Sequence, residues 1–139
     1  MWQADINYLL VLLSAIVAMV VGAIWYSPLL FGNEWNKYSG LTPEDLEKAK
    51  QKDTGKLYAF QFLATVLMSY ILAQLVVFMH AISFSDGAKI GFWLWLGIVV
   101  PVLLGSVLWE RKSIIVYLID IGQYLVSLVL IGGILGLWS

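Results

Sequence analysis

The chain has no cysteine, which excludes disulfides, thiol catalysis and thiolate metal sites and leaves its redox compartment unmarked. Its single histidine, His80, cannot build a metal site by itself and reads as an interfacial or hydrogen-bonded residue near a helix end. No metal and no cofactor is expected. Charge is scarce: Asp, Glu, Lys and Arg make up 12% of the 139 residues, and the net charge is −1. That balance speaks against a nucleic-acid partner, which would need a basic surface. A cleavable signal is also disfavoured. Asp5 is the only charged side chain before the first apolar run, and no small-residue cleavage site precedes Trp25 and Tyr26.

What is abundant is apolar. Hydrophobic residues make up 61% of the chain, more than a soluble domain of this length could bury, so the solvent is expected to be lipid. Four runs, about 6–26, 57–82, 88–109 and 114–138, each supply the roughly 20 residues that a bilayer crossing needs. Backbone groups in hydrocarbon must be satisfied within the segment, so these runs read as helices. The fold class is all-α: a polytopic membrane protein whose four spans form one antiparallel bundle over 1–139. Trp2, Trp25, Tyr26, Trp35, Tyr38, Tyr58, Trp109 and Trp138 lie near the ends of runs, as an aromatic belt would, with Trp93 and Trp95 somewhat deeper.

Asp86-Gly87 marks the turn into the third run. Glu110-Arg111-Lys112-Ser113 marks the turn into the fourth, with Ser113 as N-cap. Both turns are short, so spans two and three, and spans three and four, are expected to be antiparallel neighbours. Gly22-Ala23-Ile24-Trp25 and Gly105-Ser106-Val107-Leu108-Trp109 end spans one and three in a loosely similar way, too weakly to establish a repeat.

The first connection, about 27–56, is longer. Ser27-Pro28 should stop the first helix. Leu29, Leu30, Phe31, Trp35 and Tyr38 make the next stretch too apolar for a free loop and too short to span, so an interfacial segment is expected. Thr42-Pro43-Glu44-Asp45 then supplies an N-cap, a first-turn proline and acids for a short polar helix to about Asp53, read as a solvated surface helix. Lys37, Lys48, Lys50, Lys52 and Lys56 in this loop, with Arg111 and Lys112 in the third, place seven basic residues on one side against Lys89 on the other. The positive-inside rule then puts both loops in the cytoplasm and both termini outside.

Asp120 stands inside the fourth run. Residues spaced i, i+3, i+4 and i+7 share a helix face, so Asp120, Gln123, Tyr124 and Ser127 form a polar stripe, with Tyr117 one turn back. Such a stripe should face protein or a wet cavity. Asp120 lies about 10 Å inside at 1.5 Å per residue. Gln61 and Thr65 of span two, with Ser69 beyond them, Ser106 of span three, and Gly22 and Trp25 of span one fall at a comparable level, so a polar cluster is expected in that half of the bundle. Asp120 should be either protonated and bonded to Gln61 or Tyr124, or ionised beside water. Small residues repeat every four positions at Ser14, Ala18 and Gly22, at Gly97, Pro101 and Gly105, and at Gly132 and Gly136. These mark helix-packing seams within the bundle or between subunits. Pro101 should kink span three.

Gly22-Ala23-Ile24-Trp25-Tyr26-Ser27-Pro28-Leu29-Leu30-Phe31-Gly32, followed by Trp35, resembles the signature of domain of unknown function 1761, an uncharacterised and mainly bacterial membrane family. Trp93-Leu94-Trp95-Leu96-Gly97 with Pro101, the Glu110-Arg111 pair, and Leu125-Val126-Ser127-Leu128 fit the same pattern. The resemblance implies a small four-helix integral membrane protein with no settled activity. In that family Asn often stands where this chain has Asp120, and His near Tyr124, which implies a polar position that need not ionise.

Two roles fit these features. One is a small inner-membrane bundle that binds or passes a small solute, ion or lipid through the cluster of Asp120, Gln123, Tyr124, Gln61 and Thr65. There the Trp25-Tyr26-Ser27-Pro28 turn would sit over the cytoplasmic mouth, and a homo-oligomer would form along a small-residue seam. The other is a structural or accessory protein, with Asp120 as packing glue and the first loop contacting a protein partner. Enzymatic activity is not expected, because no paired nucleophile and base is apparent.

Overall fold

The computed structural model, which describes residues 6–40, 42–51 and 54–138, is helical throughout apart from its connections. Trp2, Asp5 and Lys52, used above for the aromatic belt, the N-terminal reading and the charge balance, lie outside the described residues. Helix α1 (Tyr8–Trp25) begins at Asn7, whose side-chain oxygen accepts the Leu10 N–H at 3.2 Å. Two short helices follow in the first connection, α2 (Gly32–Tyr38) and α3 (Pro43–Gln51). The start of α3 is a reciprocal cap. The Asp45 N–H donates to Thr42 Oγ1, and the Thr42 N–H donates to Asp45 Oδ2, both at 3.1 Å.

Helix α4 (Thr54–Phe78) ends at Phe78 rather than near residue 82. The cause is His80, which takes a left-handed backbone with φ 57°. The Ala81 N–H then reaches Val76 O at 3.0 Å and the His80 N–H reaches Val77 O at 3.1 Å, closing a Schellman cap. The lone histidine terminates a helix.

Span three is a composite of α5 (Phe84–Leu94), a π-helical turn (Trp95–Val99) and α6 (Val100–Trp109). It starts at Phe84 because Ser83 accepts the Asp86 N–H at 3.1 Å, so Asp86 and Gly87 belong to the first helical turn rather than to the connection. The irregularity expected at Pro101 takes the form of the π turn. In an unbroken α-helix the proline ring would meet the Gly97 carbonyl. Here the Val100 N–H bonds Trp95 O, five residues back, and the helix carries one extra residue before the proline. Helix α7 (Ile114–Leu137) starts at Ser113, whose Oγ accepts the Ile115 N–H at 3.1 Å.

Among the described residues, four helices are long and apolar enough to cross a membrane. They pair as two antiparallel hairpins. In the first, Ser69 Oγ of α4 donates to Val11 O of α1 at 3.1 Å. In the second, α5 crosses α7 with backbones in contact. A Cβ on Gly87 would lie 1.8 Å from Gly132 O, and one on Gly91 would lie 2.2 Å from Leu128 O. Glycine at these positions is what allows so close an approach. Helix α7 is the hub, packing on α1, α4, α5 and α6. Despite their short connection, α4 and α5 make little contact with each other, because the glycine faces draw α5 onto α7. Leu72, Val76 and Ile131 are fully buried where the hairpins meet. Leu63, Leu67, Trp93, Val102 and Leu118 are exposed on the outer faces, as lipid contact requires.

The expected seams divide. Ser14 and Ala18 are buried on α1, Gly22 faces the Gln123 amide, and Gly132 and Gly136 pack against α5. Gly97, Pro101 and Gly105 make no such seam within the chain. A Cβ at Gly97 or Gly105 would meet nothing within 4 Å, and Pro101 is exposed. Span three meets α7 through Gly87 and Gly91 instead, which leaves that second small-residue row on the outside.

Candidate functional site

The site is built on the reversal after α1. The Phe31 N–H reaches Trp25 O at 3.0 Å, and Ser27 O accepts both Leu30 N–H at 3.1 Å and Gly32 N–H at 2.9 Å. Ser27 Oγ donates to Ile24 O at 2.6 Å. A Cβ on Gly32 would fall 2.3 Å from Tyr26 O, so only glycine fits where the chain doubles back. Phe31 packs on Trp25 with ring centroids 4.8 Å apart. Of the apolar stretch, Phe31 and Trp35 turn toward the bundle while Leu29, Leu30 and Tyr38 stay exposed, and α2 rests against α7.

This fold-back delivers donors to one turn of α7. Tyr26 Oη donates to Asp120 Oδ1 at 2.6 Å, and Trp35 Nε1 donates to the same oxygen at 3.1 Å. On either side of Asp120, Trp25 Nε1 donates to Ile119 O at 2.9 Å and Trp95 Nε1 donates to Ile121 O at 2.7 Å. Three indoles from α1, α2 and the π turn therefore converge on residues 119–121. These half-buried tryptophans fasten α1, α2 and the π turn to α7 through their indole N–H groups. Among the described residues Trp93, Trp109 and Trp138 are the exposed tryptophans. Gly122 makes room for the Trp25 ring, since a Cβ there would lie 2.9 Å from it.

Asp120 is bonded neither to Gln61 nor to Tyr124, the partners expected from depth along the helices. The fold-back of loop one places Tyr26 and Trp35 closer. Gln61 Nε2 donates to Thr65 Oγ1 at 3.3 Å, and Thr65 Oγ1 donates to Gln61 O at 2.8 Å. Gln123 Nε2 donates to Ser127 Oγ at 2.8 Å. Ser106 Oγ donates within its own helix to Leu103 O at 2.7 Å and takes no part in the cluster. The hydrogen of Tyr117 Oη goes to Val100 O at 2.9 Å, beside the π turn.

Although they do not bond to Asp120, these side chains do meet. A cavity of about 580 Å³ lies between α1, α4 and α7, and Tyr26, Gln61, Thr65, Gln123, Tyr124 and Ser127 supply its polar lining. Ala18, Met19, Gly22, Ala23, Ala64 and Met68 supply the apolar part, with Tyr58 beside them. The volume is of the size that holds a small molecule, roughly 300–1,000 Å³. Asp120 is not in the lining. It stands behind Tyr26, which touches both. The Tyr26 hydroxyl is thereby committed as a donor to Asp120. Pro28 is exposed in the reversal and does not line the cavity.

Trp35 is the residue that the helix-by-helix reading missed. Its signal was the apolar character of residues 29–38, which marked the segment as bound to something without saying to what.

No curated protein and no solved structure matches the chain. A family model does match, over residues 9–136, and it spans all four long helices, the reversal at Trp25–Gly32 and the turn of α7 around Asp120. On that match the chain belongs to the family described as protein of unknown function, DUF1761.

Proposed function

We propose that this protein binds a small lipid-soluble or amphiphilic solute in the cavity between α1, α4 and α7 and holds it in, or passes it across, the membrane. The observation that carries this reading is the cavity itself. It is large enough for a ligand and joins an apolar wall to a few hydroxyl and amide groups, the pattern of small-molecule sites. The fold-back pinned by Tyr26 and Trp35 serves as the floor of its loop-side mouth. By the positive-inside rule that side is cytoplasmic, with both termini outside, in the inner membrane of a bacterium. Four spans are few for transport by one chain, so the passing role calls for a homo-oligomer, for which the outward row of Gly97, Pro101 and Gly105 is available. No bond-making chemistry is part of the proposal, and the protein is read as a non-enzyme.

A second reading is favoured by one observation. Both donors near Asp120 already bond its Oδ1, so the carboxylate can serve as packing glue in a structural or accessory membrane protein. The test is thermal stability in lipid nanodiscs across a panel of lipids, ions and metabolites, for wild type and Ala64→Trp. Ala64 is exposed on α4 and lines the cavity, so tryptophan there fills the space without disturbing the core. A ligand that binds the native state raises the melting temperature. A rise in wild type that Ala64→Trp loses supports the binding role. A panel that shifts neither protein supports the accessory role.

A further inference from the structure

Resting on the binding role just proposed, we infer that the ligand is an uncharged, lipid-soluble molecule whose head carries acceptor oxygens, such as a quinone or an ester, and that α7 holds it by donating hydrogen bonds. Two observations lead there.

The first is charge. The lining holds no Asp, Glu, Lys, Arg or His. A phosphate or carboxylate entering it would give up water without meeting a cation, and an ammonium would meet no carboxylate in the wall. Asp120, the one acid nearby, is turned away and bonded through Oδ1 to Tyr26 and Trp35.

The second is a count of hydrogens. Tyr26 has one hydroxyl hydrogen, committed to Asp120. Thr65 has one, committed to the Gln61 carbonyl. On α4 the Gln61 amide keeps one hydrogen beyond its bond to Thr65 Oγ1, at the exposed rim; α7 keeps three. Gln123 spends one of its two amide hydrogens on Ser127 Oγ and keeps the other. Ser127 accepts that bond and retains its own hydrogen. Tyr124 Oη has no hydrogen-bond partner among the described residues. Gln123, Tyr124 and Ser127 share one helix face, so three donors point from a single wall into the cavity. The matching ligand presents acceptors. Its body meets Met19 and Met68, whose unbranched side chains adapt to irregular apolar shapes. Its path in runs past Ala23, Tyr58, Gln61 and Ala64, which with Tyr26 are the exposed members of the lining.

The experiment uses the full chain in lipid nanodiscs, with empty discs as reference and three probes of one tail length: 2-decyl-1,4-benzoquinone, decyltrimethylammonium and decyl phosphate. Equilibrium binding is measured for wild type, Ala64→Trp, Tyr124→Phe and Tyr8→Phe. Tyr8 stacks on Tyr70 at the far end of α1 and serves as the control phenol. The expected result is quinone binding above that of empty discs, lost in Ala64→Trp and unchanged in Tyr8→Phe. Tyr124→Phe should weaken it about fivefold to tenfold, the size of one hydrogen bond. Quinone uptake that Ala64→Trp does not reduce is bilayer partitioning and overturns the inference. Binding of a charged probe that Ala64→Trp blocks, with none for the quinone, also overturns it but keeps the cavity as a ligand site. Binding of none of the three, with Ala64→Trp melting like wild type, overturns both.

Discussion

Replacing Gly132 with alanine tests how the bundle is held together. The added methyl would sit 2.2 Å from the Gly87 carbonyl oxygen, whereas carbon and oxygen across a close helix contact rest about 3.3–3.6 Å apart. The obstacle is backbone, so no rotamer change relieves it, and α5 and α7 must separate by about 1 Å at the crossing. Overpacking of this kind costs about 1–3 kcal/mol, occasionally more, and a backbone clash belongs at the upper end. Alanine returns about 0.5–1 kcal/mol as the better helix former. The net expectation is a loss of about 2 kcal/mol, close to thirtyfold in the folding constant. Gly105→Ala supplies the contrast, because a Cβ there meets nothing within 4 Å. It should be neutral or stabilise by up to about 1 kcal/mol. Reversible unfolding in mixed micelles, followed by circular dichroism, gives both values on one scale. Should Gly132→Ala unfold no more easily than Gly105→Ala, the α5–α7 crossing is not the contact described above. Gly87→Ala combined with Gly132→Ala should cost less than the sum of the two, since helices already displaced by one methyl admit the second.

Asp120→Leu strands the Tyr26 hydroxyl and the Trp35 indole, at about 1–3 kcal/mol for each group that stays buried. Tyr26 is 37% exposed and can turn to water, so a total near 2 kcal/mol is expected. A melting temperature equal to wild type would show that neither bond matters. Trp35→Phe removes the indole donor and should speed amide hydrogen exchange across residues 27–38 while leaving α7 protected; unchanged exchange there would mean α2 is held by other contacts. His80→Gly removes a side chain from a left-handed backbone position and should stabilise by about 1 kcal/mol, read in the same micelle assay, where a loss would contradict the cap. The Thr42 bonds hold the Asp45 carboxyl below the ordinary aspartate range. A depressed value means that its contribution to α3 is whole above about pH 3.9, the unfolded value, and is lost as pH falls through the lower folded one. Amide chemical shifts of residues 43–48 followed from pH 6 down to pH 2 should report that loss, and a helix that frays equally in Asp45→Ala at pH 6 and wild type at pH 2 would agree with it.

The spans were legible because the signal that defines them is length and absence of charge, and lipid leaves the backbone no alternative to helix. Ser113 and Thr42 were legible as caps because a cap is a local event. Ends set by unusual backbone were not. Histidine is enriched at left-handed positions, but positive φ is so uncommon outside glycine that the type alone does not place the end at His80, and Ser83 was overlooked because Asp86-Gly87 resembles a turn when read alone. Helix neighbours followed the glycine faces rather than chain order. Gly87 and Gly91 form the partner face to Gly132 and Gly136, and a four-residue repeat of glycines in span three could have disclosed it. For the candidate site, Gln61, Thr65, Gln123, Tyr124 and Ser127 were placed near one another by counting depth along straight helices, and they line one cavity. The same counting could not bring Trp35 to Asp120, 85 residues apart in sequence, because that contact depends on how the connection turns back at Gly32.

The π turn at Trp95–Val99 changes what a single-residue deletion would do. In a regular helix a deletion rotates everything after it by about 100° and carries one face away from its neighbour. Here Trp95 and Val100 stand five apart across one wide turn, and both serve α7, through the Trp95 indole and the Val100 carbonyl. Removing one residue between them would make that spacing four, which an α-helix meets directly, so both halves of the span would keep their facing. Pro101 is then the obstacle, because the tightened turn would press its ring on the carbonyl four residues back, at about 3 kcal/mol. The extra residue and the proline thus form one heritable unit. Loss of one residue from 96–99 should be tolerated together with Pro101→Ala and poorly without it, so length variation in this span should travel with the proline.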